Sequence, residues 1–106
     1  MALPLEGVNV LDLTNNLAGP YCSMVLGDMG AEVVKIENFP EGDASRLFDP
    51  KINDESYCFA VLNRNKKSLA LDMKNARGKE IFNQLATRAD IIAENFRPGE
   101  IGRAHV

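Results

Sequence analysis

The sequence predicts an α/β fold, a Rossmann-like parallel sheet with flanking helices. Two observations carry this. Short β-rich runs alternate with helical patterns in the order strand, helix, strand, loop, strand, helix, strand. That alternation implies parallel pairing through right-handed crossovers. The runs also end in polar turns, as a ligand crevice beyond the carboxyl ends of such strands requires.

Each element has a local reason. Val8–Leu13 is a short β-rich run after Gly7 and reads as a buried strand. Thr14-Asn15-Asn16 breaks it. Ala18-Gly19-Pro20 then opens a helix, because Pro20 in a first turn sacrifices no hydrogen bond. The helix runs to Gly30, a good carboxyl-terminal stop, and Ala31–Ile36 is the second strand, closed by Glu37. Residues 38–56 are rich in Pro, Gly and Asp and read as a loop, of a length that accompanies function or mobility. Tyr57–Leu62 is apolar and expected helical. Ser68–Asp72 reads as a strand. Asn75–Arg88 reads as a helix with Ala76, Ile81, Phe82, Leu85 and Ala89 near one stripe. Asp90–Glu94 is a last strand before Asn95-Phe96-Arg97-Pro98-Gly99.

Composition narrows the function. With 106 residues, 45% of them apolar and 25% charged, the chain can bury one core, which excludes a disordered role. A net charge of -3 disfavours nucleic acid as a partner, though a local basic pocket could still hold a phosphorylated ligand. Cys22 and Cys58 match no metal or redox spacing and are expected to be free, buried or half-buried thiols of a cytoplasmic protein. No run is long enough to span a membrane, and none reads as a secretory signal. No metal site is expected.

Neither a Gly-x-Gly-x-x-Gly turn nor a Gly-x-x-x-x-Gly-Lys-Ser/Thr loop occurs. Three other segments could meet a ligand, each with a plainer reading beside it. Leu17-Ala18-Gly19-Pro20 at a helix start could hold an anion on free N–H groups, or be an ordinary helix entry. Leu62-Asn63-Arg64-Asn65-Lys66-Lys67-Ser68 is the densest basic cluster and suits a phosphate, or is a solvated turn. Glu94-Asn95-Phe96-Arg97 could stack on and read an adenine ring, or anchor a loop through Phe96. Asp12, Asp28, Glu32, Glu37 and Asp43 offer no catalytic pair by spacing.

In order and spacing these segments are similar to the start of the class III (CaiB/BaiF) CoA transferases. The resemblance lies in residues 5–14, Leu17–Cys22, Leu26–Glu37, Gly42-Asp43, Leu62–Ser68 and Glu94–Gly99, covering about Leu3 to Gly99. It implies that 1–99 is the N-terminal part of a large domain within an interlocked homodimer. It also implies coenzyme A as co-substrate and transfer of CoA between an acyl-CoA thioester and a carboxylic acid. Carried over residue by residue, the CoA contacts fall on Asn16, Leu17, Ala18, Asn38, Asn63, Arg64, Asn65, Lys66, Asn95, Phe96 and Arg97. Asn38 stands where many members have an arginine, and Leu17 where formyl-CoA transferase has a polar residue, which puts oxalate in doubt as a substrate. The family's catalytic aspartate lies downstream of Gly99, so no catalytic residue is assigned and the chain alone is expected to be inactive. Two alternatives stay open: a racemase-type relative acting on α-methylacyl-CoA, and a non-catalytic nucleotide-binding module.

Residues 100–106 fit no element. Ile101–Val106 is the translation of a common sequencing adapter, ATC GGA AGA GCA CAC GTC, so authentic sequence is expected to end near Gly99. Resequencing the source DNA checks this. His105, the sole histidine, falls in that tail, leaving no His-based nucleophile before it.

Overall fold

The computed structural model describes residues 2–97, so Pro98, Gly99 and the 100–106 tail lie outside the described residues. The elements are β1 (Asn9–Asp12), α1 (Ala18–Asp28), β2 (Glu32–Asn38), a 3-10 turn (Ala44–Leu47), β3 (Lys51–Ile52), β4 (Glu55–Ser56), α2 (Tyr57–Leu62), β5 (Lys66–Leu71), α3 (Ala76–Arg88) and β6 (Ile91–Ala93). The predicted alternation is present. The 38–56 loop departs from expectation: it contains the 3-10 turn and a small β3–β4 hairpin.

Four strands form one parallel sheet in the order β5-β2-β1-β6. The chain builds outward from β1 through β2 to β5, then returns to pair β6 on β1's other edge. The reversal puts a switch point between β1 and β6, where parallel α/β sheets bind ligands. The register sets Val10 level with Val33 and Ile91, and Val33 level with Lys66. All four strands therefore share a carboxyl rim, formed by Leu13–Asn16, Asn38-Phe39, Asp72–Lys74 and Glu94–Arg97.

Because strand side chains alternate, each strand feeds two different layers. On the α3 side, Leu11, Leu13, Ile36 and Leu71 surround Phe82, which is fully buried. On the other side, Val10, Ala31 and Val33 form a smaller apolar cluster with Leu5, Val8 and Leu26. Beside it and toward the carboxyl rim this second layer is polar: Lys66, level with Val33, and then Asp12, Lys35, Glu37 and Ser68 replace aliphatic residues. This explains why the Val-Val-Lys-Ile-Glu strand lacks the continuous apolar run usual in parallel sheets.

Helix ends follow local chemistry. Ser56 caps α2 through the Phe59 N–H, and Asn75 caps α3 through the Arg77 N–H. Gly30, at φ 105, turns the chain out of α1. No helix among the described residues is long and apolar enough to cross a membrane.

Candidate functional site

A crevice of about 760 Å³ opens at the carboxyl rim. Leu13, Ile36 and Leu71 line it as strand-end aliphatics. Asn15, Asn38, Phe39, Asp72, Met73, Lys74, Lys79 and Phe96 surround them with polar and aromatic groups. An apolar surface with a few convergent polar groups is what a small-molecule site needs. Lys74 and Lys79 bring positive charge, Phe39 and Phe96 bring ring faces, and Asn15 and Asn38 bring amides.

The β1 and β6 ends are joined at the switch point. Asn15 N–H donates to Asn95 Oδ1 at 3.0 Å, and Asn95 Nδ2 donates back to the Asn15 carbonyl at 2.7 Å. Next in sequence, Asn16 adopts φ 72, unusual for a residue with a side chain. Leu17 precedes α1 without capping it through a side chain, and Asn16, Leu17 and Ala18 are all exposed at that helix start. Gly19 keeps α1 close to the turn: a Cβ there would lie 2.4 Å from Thr14 Cβ.

Beneath the rim runs a lattice of buried charge. Asp12 Oδ1 accepts from the Thr14 N–H and hydroxyl, while Oδ2 accepts from Ser23 and pairs with Lys66 at 3.0 Å. Burial pushes the Asp12 carboxyl up, but these hydrogen bonds and the Lys66 charge hold it below its ordinary value. Burial lowers Lys66, with the Asp12 charge opposing. Asp43, pushed up by burial, is brought below the ordinary range by Lys35, 2.8 Å away, and by the Ser45 and Asn16 N–H groups. Glu37 accepts two hydrogen bonds from Arg46 and others from Ser68 and the Asp43 N–H; led by Arg46, they hold its carboxyl at about 2. Arg46 also lies 4.0 Å over the Phe59 ring.

The expected CoA contacts divide between the two ends of the sheet. Asn16, Leu17, Ala18, Asn38, Asn95, Phe96 and Arg97 lie at the carboxyl rim. Asn38 and Phe96 line the crevice itself, and Phe96 also packs on the α3-side core, as its reading as a loop anchor expects. Asn63, Arg64 and Asn65 precede β5 and Lys66 opens it, so these four lie at the amino rim. From Lys66 to Leu71 the strand advances by roughly 16 Å at ~3.3 Å per residue. Arg64 there forms a two-point pair with Asp28, at 3.1 and 2.6 Å, and Asn65 donates to the same carboxylate. Lys66 is turned inward onto Asp12, the Pro20 carbonyl and Asn63 Oδ1. The basic cluster thus ties α1 to β5, and Arg64, Lys66 and Lys67 pair with Asp28, Asp12 and Glu32.

Sequence reasoning missed Asp72, Met73, Lys74 and Lys79. The available signal was position: Asp72 ends a predicted strand and Met73 and Lys74 follow it, so all three belong to its carboxyl end. Asp72 Oδ1 accepts from the Lys74 N–H at 3.0 Å, which shapes this lip. Cys22 is also corrected, being exposed; Cys58 is partly buried, and both are free. Among the described residues no cluster of three or more His, Cys, Asp or Glu side chains is placed to hold a metal ion.

A parallel sheet with a switch-point crevice of this kind defines a Rossmann-like α/β ligand-binding unit. Residues 5–106 match the family described as CoA-transferase family III, and the chain belongs to that family. It is 50% identical over 99 residues to succinyl-CoA:glutarate CoA-transferase of Mus musculus, covering 92% of this chain and 23% of the relative. Against formyl-CoA:oxalate CoA-transferase of Escherichia coli it is 44% identical over 102 residues, covering 95% and 24%. A CAIB/BAIF family protein from Brucella suis superposes with a TM-score of 0.89 at 34% identity, over 98% of this chain and 29% of that one. A Mycobacterium tuberculosis protein in an orthorhombic crystal form gives 0.88 at 40% identity, over 97% and 29%. The chain therefore spans about a quarter of the length of the curated relatives it matches.

Proposed function

We propose that this chain carries the nucleotide-gripping part of a coenzyme A site. In this reading the protein it represents moves CoA between an acyl-CoA thioester and a carboxylic acid. The observation that supports this most directly is the carboxyl-rim crevice. Phe39, Met73 and Phe96 suit the faces of an adenine ring, Asn38 its edge, and Lys74 and Lys79 its phosphates. Lys74 then supplies the cation that Asn38 lacks. The pantetheine arm leads from the crevice past Asn95 toward the exposed start of α1 at Asn16, Leu17 and Ala18, where the positive end of the helix dipole faces a developing negative charge. Arg97 adds a further cation at the same rim. Arg64 and Asn65 take no part, and Asn63 and Lys66 act from inside the fold.

Asp12 and Asp43, two carboxylates buried beneath the rim, are poorly suited to attack a thioester. Both are buried and ion-paired: Asp12 accepts hydrogen bonds at both oxygens, and Asp43 accepts them at Oδ1 while Oδ2 faces Lys35. A nucleophile needs an oxygen aimed at the substrate. We therefore expect the 106-residue chain alone to bind CoA without transferring it.

Calorimetry with CoA tests this. Lys74→Ala is expected to weaken binding by about tenfold, the worth of one charge-assisted hydrogen bond, and to reduce the salt dependence of the affinity. Unchanged affinity on losing Lys74 would remove the crevice from the site.

A further inference from the structure

The Thr14–Asn16 turn is held by groups that do not reach the crevice. Lys35 Nζ donates to the Thr14 carbonyl at 3.0 Å, and Asp43 Oδ1 accepts the Asn16 N–H at 3.2 Å. Lys35 and Asp43 are paired with each other at 2.8 Å, their side chains only 1% and 0% exposed. Asp43 is itself pinned, its N–H donating to Glu37 Oε1 and its Oδ1 accepting the Ser45 N–H. Asp12 and Asn95 hold the remaining Thr14 and Asn15 backbone groups.

A buried ion pair is an expensive way to fill this space. Apolar residues of similar volume are often as stabilising, because the desolvation of both charges offsets their attraction. Apolar residues, however, could neither donate to the Thr14 carbonyl nor accept the Asn16 N–H. Asn16 sits at φ 72, a left-handed conformation that asparagine tolerates better than most residues, and the Asp43 contact holds its N–H there.

We propose that Lys35 and Asp43 are positioning residues that fix the Thr14–Asn16 turn, and with it the opening turn of α1, in the geometry that accepts the CoA thioester arm. This rests on the CoA reading above, and it separates into two measurements. In the ¹⁵N-labelled 106-residue chain, the double variant Lys35→Met/Asp43→Leu removes both charges together and leaves neither unpaired. Its melting temperature is expected to stay within about 5 °C of wild type. Its Asn16 amide is expected to exchange with solvent at least about tenfold faster, and its CoA affinity to fall by about tenfold. Asp43→Asn keeps an oxygen acceptor and is expected to keep the Asn16 amide slow.

An Asn16 amide equally slow in the double variant overturns the proposal, as does a freed amide with unchanged CoA affinity. If wild type binds no CoA, the functional reading falls while the amide comparison still decides the clamp. Should the double variant not fold, wild type alone is decisive. A slow Asn16 amide there supports the clamp. An amide exchanging at the unstructured rate, while β1 and β2 amides stay protected, sinks it.

Discussion

Glu37 shows how a single side chain couples the site to the fold. It sits in β2 just before the strand's last residue, the crevice-lining Asn38, is nearly inaccessible, and is gripped in two places by an Arg46 guanidinium that remains 44% exposed. The hydrogen bonds from Arg46 and Ser68 favour the charged form, so its carboxyl titrates at about 2 in the folded chain instead of the ordinary 4.5. The sign follows from linkage: the unfolded chain takes up the proton first. The stabilisation is complete above pH 4.5 and is lost as pH falls from there through about 2. Urea unfolding at a series of pH values is expected to show this decline, and Glu37→Gln is expected to be destabilised at pH 7 and to show a shallower decline across the same window. A variant with an unaltered acid profile would show that Glu37 contributes nothing to it.

At the scale of elements, α3 illustrates how packing sets the crevice. Phe82 fills the α3-side core, and the helix approaches the end of β5 so closely that Gly78 has no room for a side chain. A Cβ there would lie 2.0 Å from the Asp72 carbonyl oxygen, a backbone atom with no rotamer to escape into. Gly78→Ala is expected to destabilise the chain by about 2–3 kcal/mol, as overpacking does, despite alanine's better helix propensity. The denaturation midpoint measures this. Because Asp72 also braces the Lys74 backbone, the displaced lip should weaken CoA binding in the variant that still folds. On the opposite face, α1 packs on a charged layer. Its buried Ser23 contacts Asp12, and Lys66 reaches its first-turn Pro20 carbonyl.

For the whole molecule, strand direction decides which basic residues can serve a ligand. Parallel strands give every preceding turn to one rim and every following turn to the other. Arg64 and Lys74 flank the same strand, β5, yet face opposite ends of the sheet. Arg64→Ala is accordingly expected to leave CoA affinity within about twofold of wild type, while Lys74→Ala lowers it by about tenfold. Calorimetry on the two variants side by side gives the comparison, and a larger loss from Arg64 would place the ligand at the amino rim. The family match and the close superposition on larger relatives fix the architecture independently of this point.

By itself, the sequence determined the fold class, because period, caps and breakers are local. Pro20 in a first turn, Gly30 as a stop and the alternation of runs each act within a few residues. Its ordered motifs also pointed to the family. The position of Asp72–Lys74 after a strand was equally legible, but the charge density of Asn63–Lys67 drew attention to the opposite end of it. Only the tertiary structure decided where charges go. Lys66 meets Asp12, Lys35 meets Asp43, and Asn95 meets Asn15 across separations of 54, 8 and 80 positions in the chain. Such pairings depend on strand order and on which face each side chain takes. Both are set by burial summed over the whole sheet, and no short stretch of sequence contains them.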